Sequence, residues 1–547
     1  MSVKGQDGRG EGSEGRGAAP SGYDTYQSPL ASRNASRAML RLWSPRHKFN
    51  TWRRIWLGAA QALRDCGVVV SYDQVDVLEE VVFRRNPDGT HGITDDEIRL
   101  AEKYERELRH DVMAHVHALG DACPEARPII HLGMTSQDVV CNADLMVLRD
   151  AMELVRLKVV RVMLAISEQA TSLADVPTLG LTHYQPAQPV TVGRRLALWA
   201  HDLGLCETRL DPYLPLRGLR GATGTQASFL KLSEGHDIGI QCSSSMLCDD
   251  EGNEIEDAPV DEWTIEGVDA IEHRFCRHSI IMSVDKGTFD LTGQTYPRVV
   301  DTFILADLAS VASVLHKIAT DIRLLCNRKE LDEPFEDKQI GSSAMPYKRN
   351  PMRCERICGL TRFVMNLVGN AYDTAATQWL ERTLDDSSNR RLSLPEAFLA
   401  LDGALDLMHN VASGLVVHEA MVRKNLMAEL PFLATENILM ACVKLGADRQ
   451  DYHERIRVHA QAAGMRVKQE GLDNDLLERL KDDPAFRSKA RGGLLSEELD
   501  WDNLLDPMKY VGRSVEQTER FIAEVIEPMR ERYADELAQL DDDAPRV

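Results

Sequence analysis

The sequence contains no long apolar run, although 43% of its 547 residues are hydrophobic. A membrane-spanning helix needs about 18 or more consecutive apolar residues, so we expect no membrane partner. The first residues also lack the basic start and apolar core of a secretory signal, which argues against secretion. The length and apolar content predict a soluble globular protein with a substantial core.

Paired-cysteine and cofactor motifs are missing as well. Eleven cysteines are scattered along the chain without a CxxC pair, which favours reduced thiols and a cytoplasmic location. The histidines of residues 109–117 lack the HExxH spacing of a zinc-binding helix, so we expect no metal. The glycine-rich run at 221–226 lacks a GK[ST] ending, and no GxGxxG follows a predicted strand. We therefore expect no nucleotide cofactor.

Basic residues are in deficit, because 64 Lys and Arg stand against 86 Asp and Glu, for a net charge of −22. Nucleic acid or an anionic membrane would require a broad basic surface, so neither is expected as a partner. Two basic islands stand out against this background, at residues 341–356 and 382–391. We interpret them as binding sites for a small anion.

Two segments are unlike the rest of the chain. Residues 1–22 are nearly free of large apolar side chains, and we predict a disordered tail because burial cannot offset the ordering entropy. Residues 236–263 carry nine acidic residues, three consecutive serines and no Lys or Arg. This composition predicts a solvated surface insertion.

From residue 38 onward, apolar residues recur with a helical period almost throughout, which predicts a mainly α protein. Long stripes cover residues 144–174 and 299–325, and further helices are predicted after Pro189 and Pro351. At 1.5 Å per residue, each long stripe would span about 40 Å. We therefore predict a central bundle of long helices whose broad apolar faces also support oligomer contacts.

The loop at residues 341–352 is the first functional candidate. It begins with small residues, and Pro346 and Pro351 push the residue before each of them toward extended geometry. Alternate side chains of an extended segment share a face, so Lys348 and Asn350 are expected to point the same way. Together they would suit a carboxylate whose charge grows during a reaction. An ordinary basic loop between helices would have the same composition.

Four other segments are dense in polar residues: 109–117, 132–138, 182–189 and 381–391. The second places hydroxyls at a predicted helix start, where anions are favoured. The third places His183 before a predicted helix, where it could exchange protons near neutral pH. The fourth, 381–391, combines arginine with serine, which suits phosphate through charge-assisted hydrogen bonds. Each of three segments also has a purely structural explanation. It is a structural histidine for 109–117, a bare helix cap for 132–138 and a salt-bridged helix junction for 381–391.

These motifs resemble a known family. GSSAMPYKRNP at 341–351 resembles the signature of the fumarase/aspartase superfamily, and five other motifs resemble the adenylosuccinate lyase family within it. These are SPLASR at 28–33, RHDVMAHVH at 109–117, THYQPAQ at 182–188, GQTY at 293–296 and ERTLDDSSNRR at 381–391. The resemblance implies three helical domains with a central long-helix bundle. We predict the tail at 1–22 and domains at 23–135, 136–417 (with the insertion) and 418–547.

The resemblance also implies an activity. Enzymes of this family eliminate fumarate from adenylosuccinate, giving AMP, and from the succinylaminoimidazole-carboxamide ribotide of purine synthesis, giving AICAR. They need no metal or organic cofactor, and they form homotetramers whose active sites take segments from three subunits. One alternative is another fumarate-releasing lyase, acting on a substrate without phosphate. A second alternative is a non-catalytic structural protein on the same scaffold.

Carried onto matching positions, the resemblance makes Ser342 the base, His183 the acid and His110 its support, with Lys348 and Asn350 holding the developing charge. A serine hydroxyl is a very weak acid and needs activation. We expect amides around Gly341 and Ser342, together with Lys348, to stabilise its alkoxide when the loop closes and excludes water.

The resemblance implies three sets of substrate contacts. Succinyl contacts are Thr135, Ser136 and Gln294; phosphate contacts are Arg33, Arg382, Ser387 and Arg391; purine and ribose contacts are Arg109, Asp111, Thr182, Arg356 and Leu384. Asn34 also belongs to the implied site, but the family usually has tyrosine there. The phosphate-side contact of that ring is therefore in question, and with it affinity or substrate preference.

Overall fold

The computed structural model describes residues 24–210, 214–234, 236, 239–243, 262–266, 268–279, 287–336 and 338–540. This part of the chain is mainly α, as predicted. Its α-helices are α1 Arg37–Leu42, α2 Pro45–Asp65, α3 Tyr72–Val82, α4 Asp95–Leu108, α5 Asp111–Ala122, α6 Ser136–Ser172, α7 Val192–Glu207, α8 Ala227–Ser233, α9 Val268–Ser279, α10 Val299–Asn327, α11 Met352–Ala376, α12 Asp385–Ser413, α13 Glu419–Leu433, α14 Thr435–Lys444, α15 Arg449–Met465, α16 Leu476–Asp482, α17 Trp501–Leu504, α18 Ser514–Phe521, α19 Glu527–Arg532 and α20 Ala534–Ala538.

Six short strands form three antiparallel pairs in the described residues. They are β1 Pro177–Thr182 with β2 Gln185–Thr191, β3 Gly239–Ser243 with β4 Glu262–Glu266, and β5 Leu331–Asp332 with β6 Val416–Val417. The second pair brings together the two ends of the acidic insertion. Residues 244–261 of that insertion, and the tail predicted at 1–22, lie outside the described residues.

Helices α6, α7, α10, α11 and α12 pack side by side as the predicted bundle. The stripe at 144–174 belongs to α6. That helix begins eight residues earlier, at Ser136, because the polar residues before the stripe are helical too. By length and composition, α10 could cross a membrane, but half of its most apolar stretch is buried in the bundle. Helices α13 and α14 pass that test only as a pair bent by 48°.

Capping interactions fix several helix starts. Ser71 and Gln74 form a capping box at α3, and Thr94 and Glu97 form another at α4. In each box, the hydroxyl of the cap residue accepts a hydrogen bond from the backbone amide three residues later. The Gln or Glu side chain at that later position accepts one from the backbone amide of the cap residue, so two otherwise unpaired donors are satisfied. Similar local signals place the helix starts near the candidate site.

The described residues contain two hydrophobic cores. The larger runs through the bundle and the N-terminal helices and includes Ile526 and Tyr533 from the end of the chain. The buried side chains of the smaller core all lie within residues 434–499, and Phe432, Trp501 and Tyr510 are among those that pack against them. The predicted domain boundaries stay a prediction, and the last helices of the chain pack back against the bundle.

Candidate active site

Residues 341–350 form a partly exposed loop before α11. The Oγ atom of Ser342 accepts the backbone amide of Met345 at 3.2 Å and that of Ala344 at 3.4 Å. Two N–H dipoles aimed at one oxygen favour its negatively charged form. The amides therefore come from residues after Ser342, whereas the sequence suggested those around Gly341 and Ser342.

The same loop is not one extended segment. The Lys348 amide donates to the Met345 carbonyl at 3.0 Å and closes a turn, so side-chain alternation does not fix the direction of Lys348. The Nδ2 atom of Asn350 donates to the Gly341 carbonyl at 2.9 Å and joins the two ends of the loop. Lys348 is exposed and Asn350 is half-buried.

His183 lies in a two-residue turn between β1 and β2. A helix follows Pro189 as predicted, since α7 begins at Val192, but the hairpin that holds His183 was not predicted. His183 and Tyr184 have φ values of 53° and 59°, as a tight hairpin with right-handed twist requires. Left-handed backbone costs non-glycine residues energy, and such strain is concentrated at functional sites. Tyr184 donates to the Leu324 carbonyl at 3.3 Å, while His183 is exposed.

A second group lies where α5 and α6 begin. The Nδ1 atom of His110 accepts the Met113 amide at 3.3 Å, and its Nε2 atom lies 3.3 Å from the Ser136 hydroxyl. Because Nδ1 is used as an acceptor, a neutral His110 carries its proton on Nε2 and donates it to Ser136. Thr135, the residue before α6, donates its amide to Asp138 at 2.6 Å.

Asp111 joins this group to the start of α12, because Arg391 donates to its Oδ2 atom at 3.0 Å. Burial raises the pKa of Asp111, but the Val112 amide and the cations of Arg391 and Lys48 outweigh burial and lower it below its usual range. Asp111 is therefore ionised at neutral pH. The adjacent Arg390 instead forms ion pairs inside the protein.

Arg390 is buried and pairs with Asp301 at 2.7 Å and Asp144 at 3.1 Å. It also contacts the Tyr296 hydroxyl. The sequence placed Arg390 in an anion-binding island, but its charge is neutralised inside the protein. Of this pair, only Arg391 is exposed to solvent.

Gln294 and Arg382 meet directly. The Nη1 atom of Arg382 donates to the Gln294 Oε1 atom at 2.9 Å, and Gln294 Nε2 donates to the Ala222 carbonyl at 2.9 Å. With its amide oxygen turned toward the guanidinium, Gln137 accepts from the same arginine at 3.1 Å. Burial lowers the pKa of Arg382 from its usual value.

Sequence reasoning missed Gln137 and the role of Asp138. Asp138 is fully buried and accepts the Arg220 and Gly221 amides at 2.8 and 3.0 Å, and it also contacts Arg217. It thereby ties the start of α6 to the loop that carries Ala222. The available signal was an acidic residue three positions after the Thr135 cap.

The remaining predicted residues occupy separate positions. Arg109 ends α4 with a φ of 56° and is exposed, Thr182 ends β1, and Leu384 is exposed at the start of α12 beside the half-buried Ser387. Arg33 and Asn34 contact Arg356 in the first turns of α11. Burial and the charge of Arg33 lower the pKa of Arg356.

One chain does not bring all these residues together. Ser136 begins α6, whereas His183 lies beyond its other end, and 37 residues of helix span about 55 Å. Likewise Gln294 precedes α10, whereas Tyr184 contacts Leu324 near the end of that helix. The two groups therefore lie at opposite ends of the bundle.

The start of α11, which follows the loop, is also separated from three of the residues predicted to bind phosphate. Arg356 lies near the start of α11, and Arg382 follows its end, so about 30 Å of helix lies between them. Arg33 therefore contacts Arg356 rather than Arg382, Ser387 or Arg391. Among the described residues, no group of three or more His, Cys, Asp or Glu side chains could hold a metal ion.

Comparison with known proteins gives long matches. The chain is 44% identical over 527 residues to the adenylosuccinate lyase of Schizosaccharomyces pombe, covering 95% of this chain and 99% of the relative. It is 44% identical over 528 residues to that of Saccharomyces cerevisiae, with the same coverage, and 39% identical over 522 residues to that of Schistosoma mansoni, covering 94% and 98%. A family model described as "Lyase" matches residues 76–228 and 294–366, and "Adenylosuccinate lyase C-terminus" matches 431–521.

Solved structures share the fold. The 3-carboxy-cis,cis-muconate lactonizing enzyme of Pseudomonas putida superimposes with a TM-score of 0.70 at 23% identity, covering 92% of this chain and 100% of that one. A fumarate lyase from Mesorhizobium sp. gives 0.68 at 21%, covering 90% and 99%. At these identities the likeness concerns the fold, and it agrees with the predicted helical bundle.

Proposed function

The chain belongs to the adenylosuccinate lyase family and is a lyase, and we propose that Ser342 and His183 carry out its reaction. The proposed substrates are adenylosuccinate and the succinylaminoimidazole-carboxamide ribotide, with fumarate as the common product. The observation that carries the proposal is the pair of amides directed at Ser342 Oγ.

In the first step, the Ser342 alkoxide takes the proton from the succinyl Cβ atom. The Ala344 and Met345 amides lower the cost of the alkoxide, because they already donate to this oxygen. The electron pair left on carbon delocalises into the neighbouring carboxylate. Lys348 and Asn350 hold that carboxylate once the loop closes over the substrate, and each well-placed donor contributes about 3 kcal/mol.

In the second step, the C–N bond breaks and His183 gives a proton to the departing nitrogen, so that fumarate and the nucleotide leave as separate products. His183 is suited to this because its ring is exposed at the tip of a strained turn. His110 supports the acid side, and its contact with Ser136 fixes the ring orientation. No step requires a metal or organic cofactor.

The binding groups follow the charges of the substrate. Thr135, Ser136 and Gln294 receive the succinyl carboxylates, and Arg33, Arg382, Ser387 and Arg391 receive the phosphate. Arg109, Asp111, Thr182, Arg356 and Leu384 complete the purine and ribose contacts. Lyases whose substrates lack phosphate would have no use for the arginine and serine groups, which favours a nucleotide substrate.

We further propose a homotetramer with active sites shared between three subunits. The separation of Ser136 from His183, and of Arg356 from Arg382, supports it, because copies packed side by side can join ends that one chain keeps apart. Large apolar side chains are exposed on the bundle helices: Leu198 and Leu205 on α7, Phe303 and Leu324 on α10, and Phe363 on α11. A cytoplasmic location is proposed from the free cysteine thiols of the described residues.

The experiment is a spectrophotometric assay of fumarate release from both substrates by purified protein, with and without chelator. We expect activity on both, and for Ser342→Ala a loss of turnover by orders of magnitude while substrate still binds. Ser343→Ala, one residue along the loop, is the matched control. Normal turnover in Ser342→Ala would remove the serine from its role.

Sharing of sites has its own test. Ser342→Ala and His183→Ala homotetramers are mixed, dissociated and reassembled, and some sites of the hybrids then contain neither substitution. Recovery of activity supports sites built from several chains. Monomers by analytical ultracentrifugation, with full activity, would contradict the proposal.

A further inference from the structure

The helical turn Leu30–Asn34 is fixed to α12 at two adjacent residues. The Ser36 amide and hydroxyl donate to Asp402 at 2.6 and 3.2 Å. Next to it, a Cβ atom on Gly403 would lie 2.6 Å from the Asn34 carbonyl oxygen, so only glycine lets the turn lie directly on the helix. The backbone at Asn34 therefore has a fixed position relative to α12.

Both ends of the Asn34 side-chain amide are engaged. Its Nδ2 atom donates to the Pro29 carbonyl at 2.8 Å, inside the same turn. Its Oδ1 atom accepts from the Nε atom of Arg356 at 2.9 Å. The Pro29 contact fixes which end of the amide is nitrogen, and so directs the oxygen toward the arginine.

Arg356 receives a second acceptor from the same turn. Its Nη2 atom donates to the Arg33 carbonyl at 2.6 Å. The Nε and Nη2 atoms form one edge of the guanidinium, and two acceptors on that edge fix both its plane and its direction. Both of these acceptors are uncharged, so they orient the guanidinium and add no negative charge to it.

We infer that Asn34 is a positioning residue for Arg356 and affects the nucleotide through that arginine. The inference rests on the proposed function, in which Arg356 contacts the substrate. The Asn34 amide oxygen accepts from Arg356 while its nitrogen donates to the Pro29 carbonyl, so removal of the amide acts first on the arginine. At the position where the family usually has tyrosine, this chain has an amide that holds an arginine.

The test is a double-mutant cycle with Asn34→Ala and Arg356→Ala, measured as KM and kcat for adenylosuccinate. Loss of one hydrogen bond to a charged group should raise KM by about tenfold in Asn34→Ala and change kcat by less than about threefold. In the Arg356→Ala background, Asn34→Ala should have no further effect on KM. Binding of AMP by calorimetry gives the same comparison if Arg356→Ala has no measurable turnover.

Ser32→Ala is the matched control, because it removes a hydrogen bond to the Ser28 carbonyl in the same turn and leaves both hydrogen bonds to Arg356 in place. We expect unchanged KM and an unchanged unfolding midpoint. Gly403→Ala should displace the turn and raise KM, again only when Arg356 is present.

The outcomes separate the hypotheses. Equal effects of Asn34→Ala in both backgrounds would mean that Asn34 contacts the nucleotide itself, and would overturn the inference. A rise in KM for Ser32→Ala equal to that of Asn34→Ala would overturn it too, since general loosening of the turn would explain both. A wild-type protein that releases no fumarate refutes the proposed function, whereas additive effects in an active enzyme refute this inference alone.

Discussion

The Nζ atom of Lys158 lies 2.5 Å from the Oδ1 atom of Asp402, and their side chains are 3% and 0% exposed. Lys158 also lies 2.8 Å from Asp406, which pairs with Arg161 at 2.7 Å. Burial raises the pKa of Asp406 above its usual range. Two cations therefore balance two carboxylates inside the bundle, at the point where the N-terminal turn is attached.

Lys158→Met should strongly destabilise the fold. It leaves two buried carboxylates facing one arginine, and breaking a buried pair typically costs about 3–5 kcal/mol. The free energy of unfolding in urea measures this. Lys231→Met is the control, because Lys231 and Glu234 form an exposed pair whose loss should cost less than about 1 kcal/mol. An equal loss of unfolding free energy in both variants would show that the buried ion pairs of Lys158 do not stabilise the fold more than an exposed pair does.

Gly341→Ala should impair catalysis more than stability. A Cβ atom there would lie 2.3 Å from the Lys348 carbonyl oxygen, so the loop must shift around Ser342. A displacement of about 1 Å can cost on the order of 100-fold in rate, and we expect a loss of at least about tenfold in kcat. Gly464→Ala, where a Cβ meets nothing within 4 Å, should leave kcat unchanged. Full activity in Gly341→Ala would show that the loop geometry is not critical.

The neighbours Arg390 and Arg391 should behave in opposite ways. Arg391→Ala should raise KM while unfolding changes by less than about 0.5 kcal/mol, because the side chain is exposed. Arg390→Ala leaves the buried Asp301 without its cation and should destabilise by about 3–5 kcal/mol. Kinetics and urea unfolding on both variants measure the contrast. Unchanged KM and turnover in Arg391→Ala would count against the phosphate assignment.

Glu272 should make stability depend on pH. Burial raises its pKa to about 7, and the nearby Arg220 cation only partly offsets this. The unfolded value is about 4.3, so the ionised form is disfavoured in the folded state and wild-type stability falls as pH rises from about 4 to 7. In Glu272→Gln the side chain at this position has no ionisable group, so this contribution to the pH dependence is removed.

The variant should therefore gain stability relative to wild type over that range, by on the order of 3 kcal/mol, and the gain should level off above pH 7. Urea unfolding at pH 5, 6, 7 and 8 gives the slope. A new amide that pairs with Gln226 differently from the carboxylate would add the same free energy of unfolding at every pH. The quantity to compare is therefore the change with pH in the stability difference between variant and wild type. A difference that does not change with pH would contradict the assignment.

The acidic insertion should be dispensable. Replacing residues 244–261 with Asn-Gly keeps β3 and β4 and joins them by a favoured two-residue turn. We expect unchanged turnover, sedimentation and unfolding midpoint. Loss of assembly or activity would show that the insertion has a role beyond the surface.

Periodicity predicted the bundle well, because α6 and α10 bury one continuous apolar stripe each. The hairpin around His183 escaped prediction, since its turn has neither Gly nor Asn and its strands contain Pro186 and Pro189, which are poor strand residues. The distances between groups could not be predicted either. Sequence motifs show which residues belong to a site, but helix length decides whether one chain can assemble it.

Arg390 and Arg391 illustrate the same limit at the level of single residues. Adjacent positions on a helix face different directions, and burial separates a structural cation from one that is exposed to solvent. Composition alone placed both in one basic island. Asn34 differs, because the departure from the family pattern was visible in the sequence, but the arginine it holds was not.

The turn at His183 and Tyr184 also bears on how this protein can be engineered. Non-glycine residues in left-handed backbone cost about 1–3 kcal/mol each, whereas Asn-Gly suits such a turn. Screening variants for thermal stability alone would favour Asn-Gly here and discard the imidazole. A stabilised library of this protein therefore needs an activity filter at this turn.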